Sequence, residues 1–270
     1  MTTVVRTRDE LAAARKTLPG RVAVVMTMGA LHEGHARLVR EARAVSDRVV
    51  VTVFVNPLQF AAGEDLDRYP RTLAQDLEVC RAEGADVVFT PTPDVVYPEE
   101  ALVRVSAGRI GMVLEGASRP GHFDGVLTVV LKLMNLVRPD VALFGQKDAQ
   151  QLAVIRRMVG DLDVPVDVLA VPTVREVDGL ALSSRNRYLT PEQRTAAAVL
   201  YRALATRDVV AGRALLLAEP CVDLDYLERV DPASFEPAPD GNLIVVAAKV
   251  GTTRLIDNID LSALPLEQDC

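Results

Sequence analysis

The 270-residue chain is 49% hydrophobic and 25% charged, with a net charge of −7. That composition fits a globular protein of one large domain, or a large one plus a small one, and excludes a transmembrane helix because no run of about 18 apolar residues occurs. The acidic balance argues against sequence-independent nucleic-acid binding. The opening stretch MTTVVRTRDELAAARK lacks the pattern of a signal peptide, and the scattered cysteines Cys80, Cys221 and Cys270 suit neither a zinc site nor a disulfide framework. The expectation is therefore a cytoplasmic protein that binds neither membrane nor nucleic acid.

In chain order, 21–26 is a short valine-rich run, too short for a helix and followed by a loop punctuated by Gly29 and Gly34. Helical spacing covers about 35–46. Residues 48–55 are apolar nearly throughout, as in a strand buried on both faces, and Asn56-Pro57 ends it. A helix over 71–83, a strand at 86–89, a helix over 125–137, a strand at 140–144, a helix over 148–159 and a strand at 165–171 follow. Strands separated by helices predict a parallel sheet of α/β class. After about 172 the pattern changes. Thr190-Pro191-Glu192-Gln193 is a helix start, with a cap residue, proline in the first turn and Gln three residues after the Thr. Residues 216–240 are rich in Pro, Asp and Glu, and 243–250 and 253–259 read as strands joined at Gly251-Thr252. These features predict a Rossmann-like domain over 1–173 and a small α+β domain over 174–270.

Five stretches carry groups suited to chemistry. Thr27 to His35 holds two of the three histidines between a strand and a helix, where helix N–H groups and imidazoles suit an anion; a merely capping turn is the alternative. Phe144 to Gln151 also follows a strand and opens a helix. It contains Lys147, one of four lysines, together with Asp148, able to cap the helix or approach magnesium through water, and Gln151 one turn on. Ser183-Ser184-Arg185 offers hydroxyls and a guanidinium to a triphosphate. Gln59, just past a buried strand, suits a small hydroxylated substrate. His122, in the loop Glu115 to Phe123, fits either a pocket wall or a structural role.

Taken together, the stretches TMGALHEGH, VFVNPLQF, GEDLDRYPRT, RPGHFDGVLTVVLKL, FGQKD, TVREVDGLALSSRNRYL and GTTRLIDNI resemble the pantothenate synthetase family over about 20–260. The resemblance implies a Rossmann-like nucleotidylyltransferase relative, usually a homodimer, whose smaller C-terminal domain closes over the site. It implies ATP-dependent ligation of pantoate to β-alanine through a pantoyl adenylate, with Mg²⁺ accompanying ATP. Met28, Gly29, Ala30, Leu31, His32, Glu33, Gly34 and His35 would line the ATP site, with His32 as proton donor. Gly145, Gln146, Lys147 and Asp148 would also contact ATP, with Lys147 on its phosphates. Val174, Leu182, Ser183, Ser184 and Arg185 would complete the nucleotide site. Gln59 and Gln151 would hold pantoate, and Gln59 would also border β-alanine. His32, His35, Lys147, Ser183, Ser184 and Arg185 would meet the developing charge. The chain departs from the family pattern at Met26, Gln146 and Ala149, which puts the fit around pantoate in question. A nucleotidylyltransferase that forms no amide, or a nucleotide-binding regulator without turnover, are the rival functions.

Overall fold

The computed structural model describes residues 2–61, 64 and 66–262. Gly63 and Asp65 of the GEDLDRYPRT stretch, and Cys270, lie outside them. The chain forms two compact units, one of 1–146 with 151–174 and the other of 147–150 with 175–270. Val174 thus falls with the first unit rather than opening the second, and Lys147 to Gln150 group with the second.

In the first unit, β1 (Thr3–Val5), β2 (Val22–Thr27), β3 (Arg48–Val53), β4 (Val87–Phe89), β5 (Val141–Gly145) and β6 (Asp167–Val171) form one sheet in the order β1-β4-β3-β2-β5-β6. Every pairing in it is parallel. The helices are α1 (Arg8–Lys16), α2 (Glu33–Val45), α3 (Leu73–Ala82), the short α4 (Pro93–Val96) and α5 (Glu115–Ser118), then α6 (His122–Val137) and α7 (Ala149–Asp161). Strand side chains alternate between two cores, as the two-residue repeat requires. Val22, Val24 and Val50 pack with Leu11 of α1, Leu127 and Met134 of α6, and Ile155 of α7. Ala23, Val25, Val49 and Val51 pack on the other face with Leu38, Val39 and Ala42 of α2. This double burial explains why β2 and β3 read as continuous apolar runs.

The same alternation separates the loops that leave β2 and β5. The helix that follows β2 covers one face and the helix that follows β5 covers the other, while β2 and β5 are neighbours. Their outgoing loops therefore diverge at the carboxyl edge of the sheet, the position where open α/β sheets bind ligands.

In the second unit, α8 (Pro191–Ala197), α9 (Val199–Ala205) and α10 (Val209–Leu217) accompany β7 (Val222–Val230), β8 (Leu243–Val250) and β9 (Thr253–Asp260), an antiparallel sheet in the order β7-β8-β9. Leu200, Leu204, Leu216, Leu227, Ile244 and Val246 form its separate core. The predicted helix start is present as a capping box between Thr190 and Gln193. The strand pair joined at Gly251-Thr252 is β8–β9, with Val250 opposite Thr253. α1 and β7 were not among the predicted elements. The second lies within the acidic stretch, and its register shifts between Leu224 and Tyr226.

Candidate active site

The turn after β2 is held in an uncommon shape. Gly29 and Ala30 both have positive φ, 86° and 51°. For alanine that left-handed conformation costs about 1–2 kcal/mol. Asp76 of α3, 2% exposed, offsets this strain by accepting the backbone N–H groups of Ala30 at 3.2 Å and Leu31 at 2.8 Å. Charge-assisted bonds of this kind are about twice as strong as neutral ones.

His32 then caps α2. Its Nδ1 accepts the Gly34 N–H at 3.1 Å, and the His35 Nδ1 accepts the His32 N–H at 3.3 Å. A ring nitrogen that accepts carries no proton, so each neutral imidazole has its proton on Nε2. The two rings lie 4.2 Å apart between centroids. The result is a pair of N–H donors of one tautomer beside the positive end of a 13-residue helix, an arrangement suited to phosphate oxygens.

The loop after β3 is clamped from several sides. Asn56 Nδ2 donates to Gln59 Oε1 and to the Gly125 carbonyl, both at 3.1 Å, and Tyr97 donates its hydroxyl to Asn56 Oδ1 at 3.0 Å. Gln59 Nε2 lies 3.1 Å from the Met28 sulfur, which brings the candidate pantoate residue to the candidate ATP turn. Gly125 permits the approach of α6, since a Cβ there would lie 2.1 Å from the Leu58 carbonyl oxygen.

His122 belongs to this clamp. Arg119 Nη1 is 2.9 Å from its Nε2, and its Nδ1 is 2.8 Å from the Gln59 carbonyl. A guanidinium only donates, so Nε2 accepts and Nδ1–H donates to Gln59. Arg119 is itself held by Glu64 at 2.6 Å. Burial, and then the Arg119 charge, push the His122 pKa below its ordinary 6.5. The folded protein therefore resists a proton that the unfolded chain accepts. Stability should fall as pH drops below about 6.5, by at most about 1.4 kcal/mol per pH unit from this group, until the folded state also protonates. Urea unfolding at pH 5 and pH 7 checks this. His122→Asn should lose that part of the slope, and an unchanged slope would show that His122 is not buried as the neutral form.

In the second unit, Lys147 lies in the 3-10 turn Gln146–Asp148 and is half-buried. Its carbonyl accepts Asn258 Nδ2 at 2.9 Å. Ser183 Oγ accepts the Arg185 N–H at 3.2 Å and caps the turn Ser184–Tyr188. The preceding hairpin bridges Arg175 to Ala181, and Asn186 Nδ2 fastens it through the Ala181 carbonyl at 3.1 Å. Arg175 makes a bidentate pair with Asp257, at 2.6 and 3.0 Å, and lies over the Tyr201 ring at 4.5 Å. Burial pushes the Asp257 carboxyl up, opposed by Arg175, the Asn258 N–H and the Lys147 charge. Gln151 is half-buried in the first turn of α7, and Val174 is half-buried beside Arg175. Leu182 is half-buried beside Ser183.

Asn56, Arg175, Asp257 and Asn258 lie within the stretches that carry the resemblance but were assigned no role there, and Asp76 lies outside them. Among the described residues no three of His, Cys, Asp and Glu converge as a metal cage.

The sequence pattern of the family described as pantoate-beta-alanine ligase matches residues 1–260. A pantothenate synthetase of Frankia alni is 60% identical over 261 residues, covering 93% of this chain and 85% of its own. That of Salinispora arenicola is 55% identical and covers 98% of this chain and 99% of its own. The crystal structure of the Thermus thermophilus pantothenate synthetase matches with a TM-score of 0.91 at 47% identity, over 96% of this chain and 99% of that one. A pantoate-beta-alanine ligase of Francisella tularensis, solved with beta-gamma ATP and β-alanine, has a TM-score of 0.88 at 33% identity, over 98% of this chain and all of that one. With its parallel sheet, its histidine turn and a match along nearly its whole length, this chain belongs to the pantoate–β-alanine ligase family, whose members are ATP-dependent ligases also called pantothenate synthetases.

Proposed function

We propose that the chain condenses (R)-pantoate with β-alanine in two steps. A carboxylate oxygen of pantoate attacks the α-phosphorus of ATP, and the bond to pyrophosphate breaks. The amine of β-alanine then attacks the activated carbonyl carbon, an amide bond forms, the amine loses a proton, and AMP leaves. The observation that carries this reading is the histidine turn, where two Nε2–H donors of one tautomer sit at a helix N-terminus and Gln59 reaches Met28 of the same turn. Such chemistry depends on positioning and on charge stabilisation more than on covalent help. In this reading Met28 to His35 and Gly145 to Asp148 bind ATP, as do Val174 and Leu182 to Arg185. His32, His35, Lys147, Ser183, Ser184 and Arg185 stabilise the charge that builds on phosphate. Gln59 and Gln151 bind pantoate, and Gln59 also borders β-alanine. The ATP and β-alanine bound in the Francisella relative support the substrate set.

Magnesium would accompany the triphosphate, as the family resemblance implies, and Asp148 is a carboxylate that could approach it through water. When bound it neutralises phosphate charge. Among the described residues no helix is long and apolar enough to cross a membrane. A homodimer, as the family resemblance implies, and a cytoplasmic location, as the cysteine usage suggests, are part of the same proposal.

The test is AMP release with pantoate, ATP and Mg²⁺. AMP should accumulate only after β-alanine is added, because the adenylate otherwise stays bound. Steady AMP production without an amine would reject the ligase reading. Gln59→Ala or Gln151→Ala should each weaken pantoate by about 1–3 kcal/mol through poorly paired polar groups. ATP affinity should stay nearly unchanged, and calorimetric titration of both substrates separates the two. An equal loss for ATP would mean that these side chains serve the nucleotide.

A further inference from the structure

Asn258 is an unusual residue to find where it is. It lies on β9 opposite Val245 and is 4% exposed. A buried amide side chain is costly unless its groups are bonded. Its backbone N–H donates to Asp257 Oδ1 at 2.8 Å, and its carbonyl accepts Arg175 Nη2 at 3.1 Å. Asp257 is 3% exposed and gripped by Arg175, which also donates to the Gly179 carbonyl at 3.0 Å. The backbone of Asn258 is thus fixed from both sides by one ion pair. Its side-chain Nδ2 reaches out of this node to the Lys147 carbonyl, 111 residues away in sequence.

A lysine ammonium rides on a flexible four-carbon stem, so its effective position depends on where the stem starts. The Asn258 bond sets that start. The same node holds the base of the hairpin that leads into Leu182 to Arg185, through Arg175 and its bridge to Ala181. We infer that Asn258 is a positioning residue for adenylation, acting through the backbone of Lys147, with the Arg175–Asp257 pair as its anchor. This rests on the reading of Lys147 as a phosphate ligand. Asn258 itself touches no reacting atom. It is a separate requirement from the residues assigned above to ATP and pantoate.

The experiment is a double-mutant cycle in single-turnover adenylation, with the full chain at saturating ATP and pantoate. Asn258→Leu keeps the volume and removes the donor. It should slow adenylation by about 10- to 100-fold, the scale on which a misplacement of about 1 Å acts. The pantoate concentration for half-maximal rate should move less than about twofold, because Gln59 and Gln151 are untouched. Once Lys147 is alanine its backbone position no longer matters to the rate, and residues that act as one unit are not additive. In the Lys147→Ala background, Asn258→Leu should therefore change the residual rate by less than about twofold. Should the leucine variant not fold, Asn258→Ala runs the same cycle. A rate near that of the parent in the folded Asn258 variant, or an undiminished effect in the Lys147→Ala background, overturns the inference. An unimpaired Lys147→Ala enzyme overturns the reading of Lys147 beneath it.

Discussion

Lys147→Ala should slow pantoyl-adenylate formation by about 10²–10³, the loss typical of removing one preorganised charge donor. The residue is half-buried, its turn follows directly on β5, and its carbonyl is tied to Asn258. During adenylation negative charge grows on the α-phosphate oxygens and on the departing pyrophosphate. An ammonium already in place then gains more in the transition state than in the ground state, so the rate should suffer more than ATP affinity. The plain alternative is a solvated lysine at a helix start, whose removal changes stability by less than about 0.5 kcal/mol and leaves chemistry alone. Rapid-quench measurement of the adenylate in a single turnover, beside a direct ATP titration, distinguishes the two. A mutant rate within a few-fold of the parent would remove Lys147 from the phosphate site.

The largest stability effect should come from Asp257→Ala. The Asp257 side chain is 2% exposed and that of Arg175 is 20% exposed. Breaking such a pair leaves a guanidinium with its charge uncompensated, and losses of about 3–5 kcal/mol are typical. Folded domains hold only about 5–15 kcal/mol in total. The thermal midpoint should fall by roughly 10 °C. The chain has no tryptophan, so the near-ultraviolet circular dichroism of its tyrosines reports the change, with Tyr201 stacked on Arg175 as the local probe. A loss under about 1 kcal/mol would show that water reaches the guanidinium and takes over its bonds.

What the sequence made legible was local. The valine runs of β2 and β3 are apolar because both faces of those strands are covered, and that property is visible residue by residue. The histidine turn, the Lys147 turn and the Ser183 loop were also visible, since each sits at a change of periodicity. The supports of these groups were not. Asp76 meets Leu31 across 45 residues, His122 meets Gln59 across 63, and Asn258 meets Lys147 across 111. No spacing rule connects such pairs, because only the sheet order and helix packing bring them together. The grouping of 147–150 with the second unit is equally hidden: Lys147 is bonded to β9, and nothing near it in the sequence announces this. β7 escaped for a different reason: acidic residues alternate with apolar ones along Val222–Val230, and a register shift interrupts that alternation. α1 does carry a readable start, the capping box of Thr7 and Glu10, and still lay outside the predicted elements.

The sheet order also dictates a timetable for biosynthesis. β2 can pair with β3 as soon as both have emerged, since Val22 lies opposite Arg48. Its other edge must wait for Val141, the partner of Ala23. At a translation rate of about 5–20 residues per second, the stretch between β3 and β5 takes on the order of 5–20 s to synthesise. During that interval a valine-rich strand destined for the middle of the sheet stands at its margin with unpaired N–H and C=O groups, the kind of edge that recruits other chains. β7, β8 and β9, by contrast, pair between neighbours along the chain and can close quickly once made. Nascent chains halted shortly before Val141 should therefore be the most prone to aggregate and the most dependent on chaperones.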